Sequence, residues 1–85
     1  MGYLILLLLM LPNYSHANEA VCNSMQTPDT KNHCLAIVKN QESYCQIIQD
    51  ADSKNLCFAQ VKRQANYCRS ITNVDAKSFC LEMVK

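Results

Sequence analysis

The sequence predicts an all-α fold, a small disulfide-stapled antiparallel helical array built from three 23-residue repeats. Three observations predict it. Ser43–Lys62, SYCQIIQDADSKNLCFAQVK, falls on Asn66–Lys85, NYCRSITNVDAKSFCLEMVK, when moved forward by 23 residues, and on Ala20–Lys39, AVCNSMQTPDTKNHCLAIVK, when moved back. One small unit is therefore written three times. Apolar and cysteine positions 34, 38, 45 and 48 recur at helical spacing, as do 57, 58, 61, 65, 68 and 71, and no period-two alternation supports a strand. Gly2 is the single glycine, and after Pro28 there is neither Gly nor Pro to interrupt a helix.

Length and charge set the frame. Eighty-five residues with 6 Cys, 2 Phe and no Trp make one domain with little bulk for a core. Cross-links are the usual remedy at this size. The net charge of +1 argues against nucleic acid or an anionic membrane surface as the partner.

The first element is an amino-terminal leader. Tyr3–Leu11, YLILLLLML, is too short to span a bilayer and fits the core of a signal peptide. Pro12 and Asn13 end it, and Ser15-His16-Ala17 places small residues at the −3 and −1 positions of a cleavage site before Asn18. The n-region has no Lys or Arg. The organisation expected is a signal peptide over residues 1–17 and a cysteine-rich helical repeat domain over 18–85, with no stable membrane anchor after cleavage. Export leads to an oxidising compartment, periplasmic or extracellular, where an even cysteine count reads as disulfides.

Each repeat then carries one turn signal, centred near Pro28, Ala51 and Val74. Asp29, Asp52 and Asp75 follow these turns as expected N-caps, a carboxylate being able to accept from the free N–H groups of a first helical turn. Lys31, Lys54 and Lys77 fall in the same first turns, where the helix dipole disfavours a cation. No local feature accounts for them. The architecture expected is a central hairpin of two long helices, about 29–49 and 52–72, with half-length helices, about 18–27 and 75–85, folded back at its open end. The alternative breaks each long helix near Asn40–Ser43 and Gln64–Asn66, where Ser43 and Asn66 can cap a second helix, giving six short helices in a small solenoid.

The cysteines are spaced for staples. Cys22 and Cys34 lie six residues either side of Pro28, Cys45 and Cys57 either side of Ala51, and Cys68 and Cys80 either side of Val74. Residues equidistant from the turn of an antiparallel hairpin lie opposite each other, within disulfide range. The eleven residues from Cys34 to Cys45, and from Cys57 to Cys68, amount to three turns of a continuous helix, too far apart to bond. Pairing within each repeat is preferred: it treats the three units alike and closes short loops. The competitor joins Cys34 to Cys68 and Cys22 to Cys80 while keeping Cys45–Cys57, a pattern that loosely resembles twin cysteine helical hairpins.

Chemistry-bearing constellations are sparse. No C-x-x-C pair supports a metal site, a thioredoxin-like centre or haem attachment, and no cofactor is implied. With every cysteine paired and His33 the one histidine left after the leader, no nucleophile–base pair remains, and no catalytic or metal-ligating residue is assigned. His33 reads as a surface residue. Lys39, Lys62, Arg63 and Lys85 read as a solvated face. Tyr44 and Tyr67, each directly before a cysteine, read as covers over the disulfides or as exposed binding anchors.

The pattern Y-C-x-x-I-x-x-x-D-x-K-x-x-C-F/L-x-x-V-K resembles the short tandem cysteine repeats of many exported microbial proteins. The resemblance covers 20–85 and implies a disulfide-stapled helical scaffold without catalytic residues to transfer. In the first repeat Met25 replaces Ile48 and Ile71, and Val21 replaces the tyrosine. The function expected is binding to another protein, as an inhibitor, an immunity factor or an accessory subunit of an envelope complex. The rival is a secreted effector or toxin, which near-neutral charge disfavours in its membrane-lytic form. An enzyme is not expected.

Overall fold

The computed structural model describes residues 14–85, with side chains from Glu19 onward, so the expected leader core Tyr3–Leu11 lies outside the described residues. Six helices follow in order: α1 (Tyr14–Asn23), α2 (Pro28–Lys39), α3 (Ser43–Gln46), α4 (Ala51–Lys62), α5 (Asn66–Arg69) and α6 (Val74–Met83). There is no strand among the described residues. Each repeat is a helix, a turn and a second helix folded back: α1–α2, α3–α4, α5–α6.

The two long helices expected over 29–49 and 52–72 are therefore each broken in two. Asn40 and Arg63 enter the left-handed region, at φ 54° and 56°, and end α2 and α4. The N–H of Gln41 donates to the carbonyl of Ala36 (3.0 Å), and that of Gln64 to the carbonyl of Ala59 (3.1 Å). This six-to-one closure satisfies carbonyls that a helix end would leave free. Asn tolerates the left-handed region. Arg pays for its Cβ there. Because of these breaks, Cys34 and Cys45 sit on separate helices, α2 and α3, rather than along one.

The N-caps are also displaced from expectation. Thr27, Asp50 and Asn73 precede the helices, two residues upstream of Asp29, Asp52 and Asp75. The Asp50 carboxylate accepts from the Ser53 N–H (2.9 Å) and hydroxyl (2.8 Å), and the Asn73 side-chain oxygen accepts from the Ala76 N–H (2.9 Å). Thr27 makes no such bond; Pro28 follows it at the first helical position and has no N–H to satisfy. The three aspartates still lie in the first turns, where the dipole favours them. Their side chains are free for other work.

Disulfides join Cys22–Cys34, Cys45–Cys57 and Cys68–Cys80, with Cα separations of 5.4, 5.5 and 5.5 Å. Pairing is within each repeat, and no free cysteine remains among the described residues. Three intramolecular disulfides point to an oxidising environment. The core is two small layers, each between successive repeats. Ala36 packs with Cys45, Ile48 and Cys57, and Ala59 packs with Cys68, Ile71 and Cys80. Ile48 and Ile71 are 1% exposed and are the largest fully buried side chains. An alanine at the contact lets the neighbouring repeat approach closely. Tyr44 and Phe58 pack at the edge of the first layer, and Leu56 and Tyr67 at the edge of the second.

Candidate interaction surfaces

The joints between repeats use the residues whose roles were open in the sequence. The Asp29 carboxylate accepts from the backbone N–H groups of Gln49 (2.9 Å) and Asp50 (3.0 Å). One repeat later, Asp52 accepts from the N–H groups of Thr72 (2.9 Å) and Asn73 (3.1 Å) and from the Thr72 hydroxyl (3.0 Å). Each aspartate thus holds the turn entering the next repeat's long helix. Those backbone bonds, from Gln49 then Asp50 and from Thr72 then Asn73, hold both carboxyl groups below their ordinary value.

Lysines and tyrosines form a second joint. Lys39 pairs with Glu19 (3.3 Å) inside repeat one and lies 5.9 Å from the centre of the Tyr44 ring in repeat two. Lys62 pairs with Glu42 (2.9 Å) and lies 5.8 Å from the Tyr67 ring of repeat three. Hydrogen bonding and charge from Glu19 and Glu42 push these amines above their ordinary value. Tyr67 also stacks on Phe58, ring centres 5.4 Å apart. His33, read as a surface residue, is half-buried, with its Nε2 bonded to Oε1 of Gln60 in the second repeat. Lys39 and Lys62 are thus joint residues rather than a plain solvated face. Lys31, Lys54 and Lys77 are half-buried and make no ion pair among the described residues.

The third repeat departs from the first two, and its outer face is the first candidate surface. Asp75 stands in the register of Asp29 and Asp52 but accepts no hydrogen bond among the described residues. Phe79 and Leu81 correspond to Leu56 and Phe58, which pack against the following repeat, and are 57% and 36% exposed. Glu82 replaces the buried alanines 36 and 59. Ala65 replaces Glu19 and Glu42, and Lys85, just past the end of α6, pairs instead with Glu82 of that helix (3.2 Å). Such an exposed pair contributes little to stability.

Two shallower features complete the surface. A groove of about 200 Å³ runs between Ile37, Gln60, Arg63, Met83 and Val84, crossing all three repeats. Another, of about 270 Å³, opens at the first repeat between Met25, Asp29, His33 and Ser53. Among the described residues no three His, Cys, Asp or Glu converge as a metal site. All six cysteines assigned from the sequence are brought together as staples, and none is left over for other chemistry. The aspartate clamps were missed because a carboxylate after a turn reads equally as a cap. Their signal was the invariance of 29, 52 and 75 against a second polar residue two positions earlier. The chain matches no family model, no curated protein and no solved structure.

Proposed function

We propose that this protein is an exported, disulfide-stabilised helical scaffold that acts by binding another protein and carries out no catalysis. It would serve as an inhibitor, an immunity factor or an accessory subunit of an envelope complex, in the periplasm or outside the cell. The observation that carries this reading is the end of α6. Phe79 and Leu81 occupy positions that the earlier repeats cover with a neighbour, and here they are open to solvent beside an unengaged Asp75. Apolar side chains rimmed by charge are the usual composition of a binding patch.

Export draws support from α1. Repeats two and three open with four-residue helices, whereas α1 has ten residues and runs through Ala17–Asn18. Cleavage before Asn18 would trim it close to the length of its counterparts. The intact mass of the exported protein is expected to start at Asn18; recovery of uncleaved chain in a membrane fraction would overturn the export reading.

Binding is tested with the oxidised protein on a matrix beside its Phe79→Asp variant. An envelope or secreted protein that the wild type retains, the variant loses, and that co-purifies stoichiometrically is the expected result. Equal retention by both would remove the end of α6 as the binding patch.

A further inference from the structure

We propose that the open face of the third repeat receives its partner as repeats one and two receive the repeat that follows them. The partner is a different protein, presenting a helix-entry turn with a cation beside it, and Glu82 turns away a second copy of this chain. The proposal deepens the protein-binding reading and rests on it.

The two internal joints define what such a face accepts. Asp29 and Asp52 each take two successive backbone N–H groups from the turn before a helix. Lys39 and Lys62 each approach an aromatic ring of the incoming unit. Leu56 and Phe58 meet its apolar side chains, and a buried alanine meets its cysteines and isoleucine. The third repeat presents the same set in register: Asp75, Lys85, Phe79 and Leu81. Three of the four recognition elements therefore pass from the second joint to the third repeat, the first joint carrying His33 and Leu35 at the apolar positions. Here none of them meets a following unit among the described residues, and Lys85 pairs with Glu82 instead.

The fourth element is changed. At the centre of the joint, where Ala36 and Ala59 are fully buried, stands Glu82. A second copy could offer most of what the face needs. Its Gln26 and Thr27 N–H groups, counterparts of Gln49–Asp50 and Thr72–Asn73, have no acceptor among the described residues. The layer it would press on Glu82 is Cys22, Met25 and Cys34, without a cation, and Val21 stands where Lys85 would meet a tyrosine. Desolvating an unpaired carboxylate there is strongly unfavourable, and pairing it only to its helical neighbour Lys85 does not restore the lost hydration. A partner with Lys or Arg opposite Glu82 turns the same charge into attraction. One residue thus rejects self and selects a basic partner.

A second copy serves as the probe in sedimentation velocity of the full, oxidised chain. The wild type is expected to stay monomeric. Glu82→Ala restores the joint, and Met25→Lys supplies the missing cation where Ile48 and Ile71 sit in the internal joints; each should raise self-association at least about tenfold, the equivalent of about 1.4 kcal/mol. Combining them strands the new lysine without its carboxylate, so the double variant should return toward monomer. Asp75→Ala in the Glu82→Ala background should also weaken association. Glu82 and Met25 are not fully buried, and disulfide mapping with circular dichroism verifies the fold of each variant. Two monomeric single variants, a wild type that associates as strongly as Glu82→Ala, or a double variant that associates as strongly as the singles would each overturn the proposal. Loss of the Phe79-dependent partner with this pattern intact would instead discard the protein-binding reading and leave the charge gate standing.

Discussion

Removing the staples one pair at a time separates what each contributes. The three disulfides close the same sequence span, 12 residues, so their loop-entropy contributions are equal. That contribution is about 3 kcal/mol each at 25 °C in the chain-entropy model. What differs is burial. Cys45, Cys57, Cys68 and Cys80 are fully buried and belong to the two packed layers. At the open first repeat Cys22 is fully buried as well, but Cys34 is half-buried and neither joins a packed layer. Deleting a buried sulfur also forfeits roughly 1 kcal/mol, taking it as a methylene-sized group. Cys22/Cys34→Ala/Ala should therefore cost about 4 kcal/mol, and each of the other two pairs about 5 kcal/mol. Against a total of roughly 5–15 kcal/mol for a small domain, the latter losses bring the fold near its limit. Urea unfolding followed by far-UV circular dichroism measures all three. Equal costs, or the largest cost at Cys22/Cys34, would refute the assignment of the difference to burial.

The remaining expectations concern the joints and turns. Ile48→Ala and Ile71→Ala should each cost about 2–5 kcal/mol in the same unfolding assay, and the half-buried Met25→Ala less. Arg63→Gly should stabilise by about 0.5–1 kcal/mol, because relief of the left-handed Cβ clash exceeds the added freedom of the unfolded chain. Asp29 and Asp52 have folded-state values below the ordinary 3.8, so their contribution is complete above that value. It is lost as the pH falls through 3.8 toward the lower folded values, and denaturation midpoints measured down this range should drop. Asp29→Asn with Asp52→Asn should flatten the drop.

Much of this fold was legible because the cysteines and the period of 23 carry it. Equal distances from each turn centre, the equivalence of the three units and short loop closure favoured pairing Cys22 with Cys34 and its counterparts over the Cys34–Cys68 competitor, and the structure has that pairing. The helix breaks were less legible, since the chain turns at Asn40 and Arg63 without Gly or Pro. The closure onto the carbonyls of Ala36 and Ala59 is a local helix-end motif, but Asn40 and especially Arg63 stand where glycine usually marks it. The roles of Asp29 and Asp52 were hidden for another reason: their donors lie 20 and 21 residues downstream, beyond any local motif. The end face becomes visible only once those joints are known. The substitution of Glu82 for alanine was in the sequence all along, but nothing there marked that register as buried.

The staples have a further consequence for how the chain oxidises. Six cysteines allow 15 pairings, yet here every native bond joins a cysteine to the next one in the chain. A chain emerging amino-terminus first exposes Cys22 and Cys34 before Cys45, so both halves of each native bond are present before the following pair arrives. Oxidation in order of appearance therefore yields the native set directly, without a shuffling step. Duplicating or deleting a 23-residue unit preserves this property, because each unit brings both halves of its own cross-link.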